Sequence, residues 1–90
     1  MIKKDITIIN KLGLHARASA KFVSTANRYQ SRIDVKKEGQ TSINGKSIMA
    51  IMMLAANQGT ALTFHIEGPD EHEMAEALEY LIANRFDEPE

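Results

Sequence analysis

The sequence predicts an α+β fold of βαββαβα order. This is an open-faced sandwich, a four-stranded antiparallel sheet with three helices on one face. Three observations carry the prediction. Four segments alternate apolar and polar residues with the period of a strand that is wet on one side. Three others repeat apolar residues every three or four positions, as an amphipathic helix does. At 90 residues there is room for one core only, so the whole chain, 1–90, reads as one domain that buries about 60–65% of its unfolded surface.

Taken in order, Lys3 to Ile9 places Ile6 and Ile8 on one face and Asp5 and Thr7 on the other, the pattern of a first strand. Residues 11–14 form a loop. A helix is expected from Ala16 to about Arg28, its stripe made by Phe22, Val23, Ala26 and Tyr29. Ile33 and Val35 mark a second strand within 32–37; Glu38-Gly39 is a turn, and residues 40–43 return as a third strand. Ser47 suits the N-cap of a helix running from Ile48 to about Asn57, ended near Gly59, with Ile51, Leu54 and Ala55 facing the sheet. Leu62, Phe64 and Ile66 alternate with Thr63, His65 and Glu67 in the fourth strand. Pro69 fits the first position of a last helix, where Asp70, Glu71 and Glu73 complement the dipole. Met74, Leu78, Leu81 and Ile82 form its core stripe, and the tail from Asp87 is expected to fray.

Composition removes several function classes. The chain has no cysteine, which excludes disulfides, thiolate metal sites and thiol catalysis and suits a reducing cytoplasm. The apolar run at 48–56 is too short for the roughly 20 residues that span a bilayer, and the polar alternation at the start does not read as a signal peptide. The expected location is cytoplasmic. Net charge is −1, yet it is divided unevenly. Residues 1–46 hold ten Lys and Arg against three acids, whereas residues 47–90 hold Arg85 against nine acids. That split fits either a solvated acidic helix or a basic surface for a phosphorylated ligand or acidic partner. The basic residues lack interleaved aromatics, so nucleic-acid binding is not expected.

His15 stands immediately before the first helix, with Arg17 two residues on. A first helical turn offers backbone N–H groups without intrahelical partners and a partial positive charge. Here they belong to Ala16, Arg17 and Ala18. A phosphoryl group on the imidazole could accept those N–H bonds, and Arg17 could add a charge-assisted one. The positive environment also favours neutral imidazole, the form that is nucleophilic. The alternative is that His15 only satisfies the helix start. Gly45-Lys46-Ser47 resembles the end of a phosphate-binding loop, but Gln40 stands where that signature needs glycine. Ser47 is thus either a plain N-cap or a modification site. Ile48, Met49 and Met52 fall off the core stripe, and exposed methionines suit a docking surface. His65 and His72 lack partners at metal-ligand spacing, and no metal site or bound cofactor is expected.

The segment Lys11-Leu12-Gly13-Leu14-His15-Ala16-Arg17, continuing through Ala20-Lys21-Phe22-Val23, resembles the active-site segment of the histidine-containing phosphocarrier (HPr) family. Lys46-Ser47-Ile48-Met49-Ala50-Ile51-Met52-Met53-Leu54 resembles that family's regulatory-serine helix. The likeness spans essentially the whole chain. It implies a phosphoryl carrier, not itself an enzyme, of the bacterial phosphoenolpyruvate-dependent phosphotransferase system. Enzyme I would phosphorylate His15 on Nδ1, and enzyme IIA domains would take the group. By the same resemblance Arg17 helps hold the phosphate, Ser47 is the target of an ATP-dependent HPr kinase where one exists, and the protein is a monomer. Ala20, Lys21, Ser24, Lys46, Ile48, Met49 and Met52 match the docking surface. Two departures are visible: Ala18 replaces the usual proline, and Ser24 and Asn27 are uncharged where sugar-system relatives often carry basic residues. Sugar uptake and the nitrogen-related regulatory branch therefore both stay open. A small ligand-binding α+β module is the reading outside the family.

Overall fold

The computed structural model describes residues 1–89. Strands β1 (Ile2–Thr7), β2 (Arg32–Lys37), β3 (Ile43–Asn44) and β4 (Ala61–Glu67) form one antiparallel sheet in the order β1-β4-β2-β3. Helices α1 (Ala16–Ala26), α2 (Ile48–Met53) and α3 (Glu71–Ala83) complete the open-faced sandwich. The central strand β4 sets the register. Leu62, Phe64 and Ile66 are buried on its helix-facing side, paired with Ile6 and Ile2 of β1 and with Val35 and Ile33 of β2. Phe22 of α1 meets Phe64 edge-on at 5.6 Å between ring centroids, a geometry that adds to burial.

Several boundaries differ from the sequence reading, each for a local reason. Strand β1 ends at Thr7, but buried Ile8 still exchanges backbone bonds with the loop before β4, donating to Thr60 at 2.9 Å and accepting from Gly59 at 2.7 Å. Helix α1 stops at Ala26, and Asn27 and Arg28 close it by donating to Val23 and Thr25. Strand β3 starts only at Ile43, because the exposed residues 40–42 have no apolar side chain to seat. Helix α2 ends at Met53, four residues early. Ala55 turns into the left-handed region (φ 52°) and is exposed, so Ala56 rather than Ala55 enters the core.

Pro69 lies outside α3, and Asp70 occupies the N-cap position without capping the helix. Its carboxylate instead accepts the Gln30 N–H (2.9 Å), the Ser31 N–H (2.8 Å) and the Ser31 hydroxyl. This clamp ties the start of α3 to the loop after α1. The Ser31 hydroxyl bond, followed by the Gln30 N–H, holds the Asp70 carboxyl below its ordinary range. The N-terminal ammonium, 3.0 Å from Glu71, does the same there.

The largest correction concerns the tail. Far from fraying, the chain turns back after α3 through a short 3-10 turn, Arg85–Asp87, whose residues all take positive φ (54°, 55° and 62°). Left-handed backbone costs a non-glycine residue roughly 1–2 kcal/mol. Phe86, fully buried in the core, offsets much of that, since burying such a side chain contributes about 1.5–3 kcal/mol. The Lys21 ammonium adds a bond to the Phe86 carbonyl (2.8 Å) and lies 3.6 Å from Asp87. Glu90 lies outside the described residues.

Two outcomes follow from these contacts. Phe86→Ala should lower the unfolding free energy by about 3–5 kcal/mol, read from urea denaturation. For Asp70 the folded pKa is lowered, so its contribution is present above the ordinary carboxylate range and is lost as pH falls through the lowered folded value. Asp70→Asn should therefore reduce the urea midpoint at neutral pH and flatten its decline on acidification. An unchanged acid slope contradicts the clamp.

Candidate functional site

The loop before α1 is shaped by its backbone. Gly13 has φ +67°, and a Cβ there would lie 2.4 Å from the Ala56 carbonyl oxygen, so glycine alone lets the loop approach the segment after α2. Leu14 donates its N–H to that same carbonyl at 2.8 Å and buries its side chain. The early end of α2 is what places the Ala56 oxygen there. The Ser19 hydroxyl bonds the Leu14 carbonyl at 3.0 Å, joining the loop to the first turns of α1.

His15 is thereby fixed as the N-cap of α1 in extended backbone (φ −77°, ψ −177°). Its Nδ1 accepts the Arg17 N–H in a long bond of 3.3 Å, and its carbonyl accepts from Ser19 at 2.8 Å. The N–H groups of Ala16, Arg17 and Ala18 begin the helix and have no intrahelical acceptor. On the far side of the ring, Nε2 meets the Glu88 carboxylate, whose second oxygen accepts from Asn10 Nδ2 at 2.9 Å. Asn10 is fully buried and donates also to the Gly13 carbonyl at 2.9 Å.

Burial, the largest single influence, pushes the Glu88 carboxyl up. The bonds from Asn10 and His15 and the charges of His15 and Arg17 outweigh it, and the group sits below its ordinary value. An ionised carboxylate only accepts hydrogen bonds. The chain of donors and acceptors then has one consistent direction. Asn10 must turn its NH₂ to Glu88 and Gly13, which leaves its buried Oδ1 without a partner. The imidazole must donate from Nε2, so in the neutral ring the lone pair is on Nδ1. That lone pair points at the start of a helix.

Sequence pattern singles out neither Glu88 nor Asn10. Asn10 is 78 residues from Glu88 in the chain, and no local pattern announces a pairing of that span. By composition alone Glu88 belongs to a frayed acidic end.

A cleft of about 490 Å³ adjoins the ring, lined by Lys11, Leu12, His15, Ala16, Arg17, Glu88 and Pro89. His15 and Arg17 therefore share one cavity. Among the other sequence-selected residues, Ala20 and Ser24 are exposed on α1 and the Ala18 side chain is fully buried. Lys21 is held by the C-terminal turn, and Lys46 donates to the Tyr29 carbonyl at 2.7 Å. Ser47 caps α2, accepting the Ala50 N–H at 3.3 Å. Around it Ile48, Met49 and Met52 are 40%, 71% and 43% exposed. Met53, at 79%, extends that apolar surface and was absent from the sequence selection. His65 and His72 stand apart from the cleft. Among the described residues, no three His, Cys, Asp or Glu side chains group to hold a metal, and no helix is long and apolar enough to cross a membrane.

Known proteins resemble this chain over nearly its whole length. The family model for the PTS HPr component phosphorylation site matches residues 2–84. The phosphocarrier protein HPr of Pseudomonas aeruginosa is 58% identical over 86 residues, covering 96% of each chain. That of Cupriavidus necator is 51% identical over 90 residues and covers both chains completely. Among solved structures, the crystal structure of HPr-C-His from Thermoanaerobacter tengcongensis superimposes with a TM-score of 0.94 at 44% identity, over the full length of both chains. The chain belongs to the HPr family of phosphocarrier proteins of the phosphotransferase system.

Proposed function

We propose that His15 is the residue on which this phosphocarrier bears its phosphoryl group, received on Nδ1 from Enzyme I and passed to enzyme IIA domains. The observation that carries the reading is the ring held as an N-cap, with Nδ1 at the start of α1 and Nε2 turned to Glu88. In the transfer, the Nδ1 lone pair forms the N–P bond as the bond from phosphorus to the donor's leaving atom breaks. The ring hydrogen stays on Nε2, so no proton needs to move. Such transfers have loose transition states, and positioning and charge stabilisation do most of the work.

Once phosphorus occupies Nδ1, the Arg17 N–H loses its acceptor on the ring and turns to a phosphoryl oxygen. The N–H groups of Ala16 and Ala18 complete a cradle at the positive end of the helix. The exposed Arg17 guanidinium shares the cleft and supplies charge. Positive charge arising on the ring faces the Glu88 carboxylate. Passing the group on reverses these steps. Neither a metal nor a bound cofactor enters them.

Ser47 fits a regulatory role in the same proposal. It lies at the margin of the apolar patch made by Ile48, Met49, Met52 and Met53, where a partner enzyme would dock. A phosphate there adds about −1.5 to −2 charge and opposes apolar contact. The uncharged Ser24 and Asn27 fit the nitrogen-related branch as well as the sugar branch, and both use the same chemistry at His15.

Incubation with phosphoenolpyruvate and Enzyme I should add one acid-labile, base-stable phosphate, absent in His15→Ala. Failure to label under conditions that label a known HPr contradicts the carrier reading. Arg17→Ala, which keeps the backbone N–H and removes the guanidinium, should slow transfer about 10- to 100-fold, matching the roughly 1.5–3 kcal/mol of a hydrogen bond to a charged group; a rate within twofold of the parent removes the guanidinium from the transfer. Ser47→Asp should slow labelling by Enzyme I and leave the circular dichroism spectrum unchanged, whereas an equal rate argues against docking at α2.

A further inference from the structure

We infer that Glu88 determines which nitrogen of His15 can be phosphorylated, by covering Nε2 with a carboxylate and leaving Nδ1, engaged only by the long bond from the Arg17 N–H, as the nitrogen that can react. This rests on the proposal that His15 is the acceptor and adds the residue that sets its regiochemistry. An exposed imidazole has two nitrogens able to take a phosphoryl group, and nothing in the ring itself restricts a carrier to one. Here the Nε2 side is closed. Glu88, whose side chain is 9% exposed, contacts Nε2 directly, and a phosphoryl dianion placed there would meet a carboxylate with no room for water between them.

The carboxylate is itself held in place. Asn10 grips its second oxygen, Phe86 is buried two residues before it, and Lys21 fastens the intervening turn. These contacts make a strap that brings one acidic side chain back over the ring. Residues 85–89 lie beyond the segment matched by the family model, which ends at residue 84. Glu88 touches the ring rather than the phosphorus, so it is a positioning residue.

A donor that needs no partner protein tests this directly. Potassium phosphoramidate phosphorylates histidine by loss of its own nitrogen as ammonia while the ring nitrogen forms the new N–P bond. The folded full chain, labelled with ¹⁵N in its histidine rings, is treated with phosphoramidate, and the His15 adduct is assigned by ¹⁵N and ³¹P NMR. The exposed His72 serves as an internal control for an uncovered ring. The parent protein should carry the His15 adduct on Nδ1, with His72 giving both isomers. In Glu88→Ala the Nε2 share at His15 should rise about tenfold, as expected when Nε2 loses at once its hydrogen-bond acceptor, the side chain that covers it and a like charge. Glu88→Gln keeps an amide oxygen that accepts from Nε2 and fills the same space but lacks the charge, and its NH₂ faces an Asn10 amide held by the Gly13 carbonyl, so its Nε2 share should fall between the parent's and that of Glu88→Ala. An Nε2 share in Glu88→Ala equal to the parent's, or a large Nε2 share in the parent, overturns the inference. A parent His15 that takes no phosphoryl group from either phosphoramidate or Enzyme I contradicts the carrier proposal instead.

Discussion

The His15 imidazole is held at both nitrogens, and the loop before α1, buried Asn10 and the C-terminal turn serve that constraint. A backbone N–H from the first turn of α1 engages Nδ1, and a carboxylate from the far end of the chain engages Nε2. A side chain bonded only through Nδ1 could rotate away when that bond is given up. With Nε2 tethered as well, the ring can release its helix bond and keep its aim. The tether depends on Asn10, whose side-chain oxygen Oδ1 is left buried without a partner. Leaving such a group unsatisfied costs about 1–3 kcal/mol, a local sacrifice of stability of the kind found where a site needs a fixed geometry.

The uneven charge distribution has a structural side that the counts alone did not disclose. Cations of the basic half reach acids of the acidic half: Lys4 to Glu79 at 3.1 Å, the N-terminal ammonium to Glu71 at 3.0 Å, and Arg32 to Glu67 at 3.5 Å. Exposed pairs of this kind contribute about 0–1 kcal/mol each, so they do not hold the fold together. They do absorb charge that would otherwise face solvent. Arg17 differs from them in sharing a cleft with His15. The acidic helix α3 is thus partly a counter-surface to β1.

Whatever is encoded by local periodicity was legible. Leu62, Phe64 and Ile66 alternate because one side of β4 faces helices, and that pattern survives in any register. His15 was legible as a helix start because N-capping is a local property of the residues around it. The apolar excess at Ile48, Met49 and Met52 was legible by exclusion, since one short helix cannot bury every face. The missed features are non-local or carried by residues with no conformational signature. Ala55, Arg85, Phe86 and Asp87 take positive φ without being glycine or asparagine, and only tertiary contacts reward them for it. The early end of α2 and the return of the tail both follow from such residues. Glu88 reads locally as one acid among several, and its role exists only once Phe86 has found the core.

The geometry at His15 comes down to the place of one hydrogen atom. In the neutral unphosphorylated protein the His15 ring proton resides on Nε2, donated to Glu88, and Nδ1 keeps its lone pair at the start of α1. The ring ¹⁵N shifts at mildly alkaline pH measure this directly. A pyrrole-type Nε2 and a pyridine-type Nδ1 are expected, with the Nε2 proton shifted downfield by its bond to the carboxylate. A pyrrole-type Nδ1, or shifts averaged between the two tautomers, contradicts it.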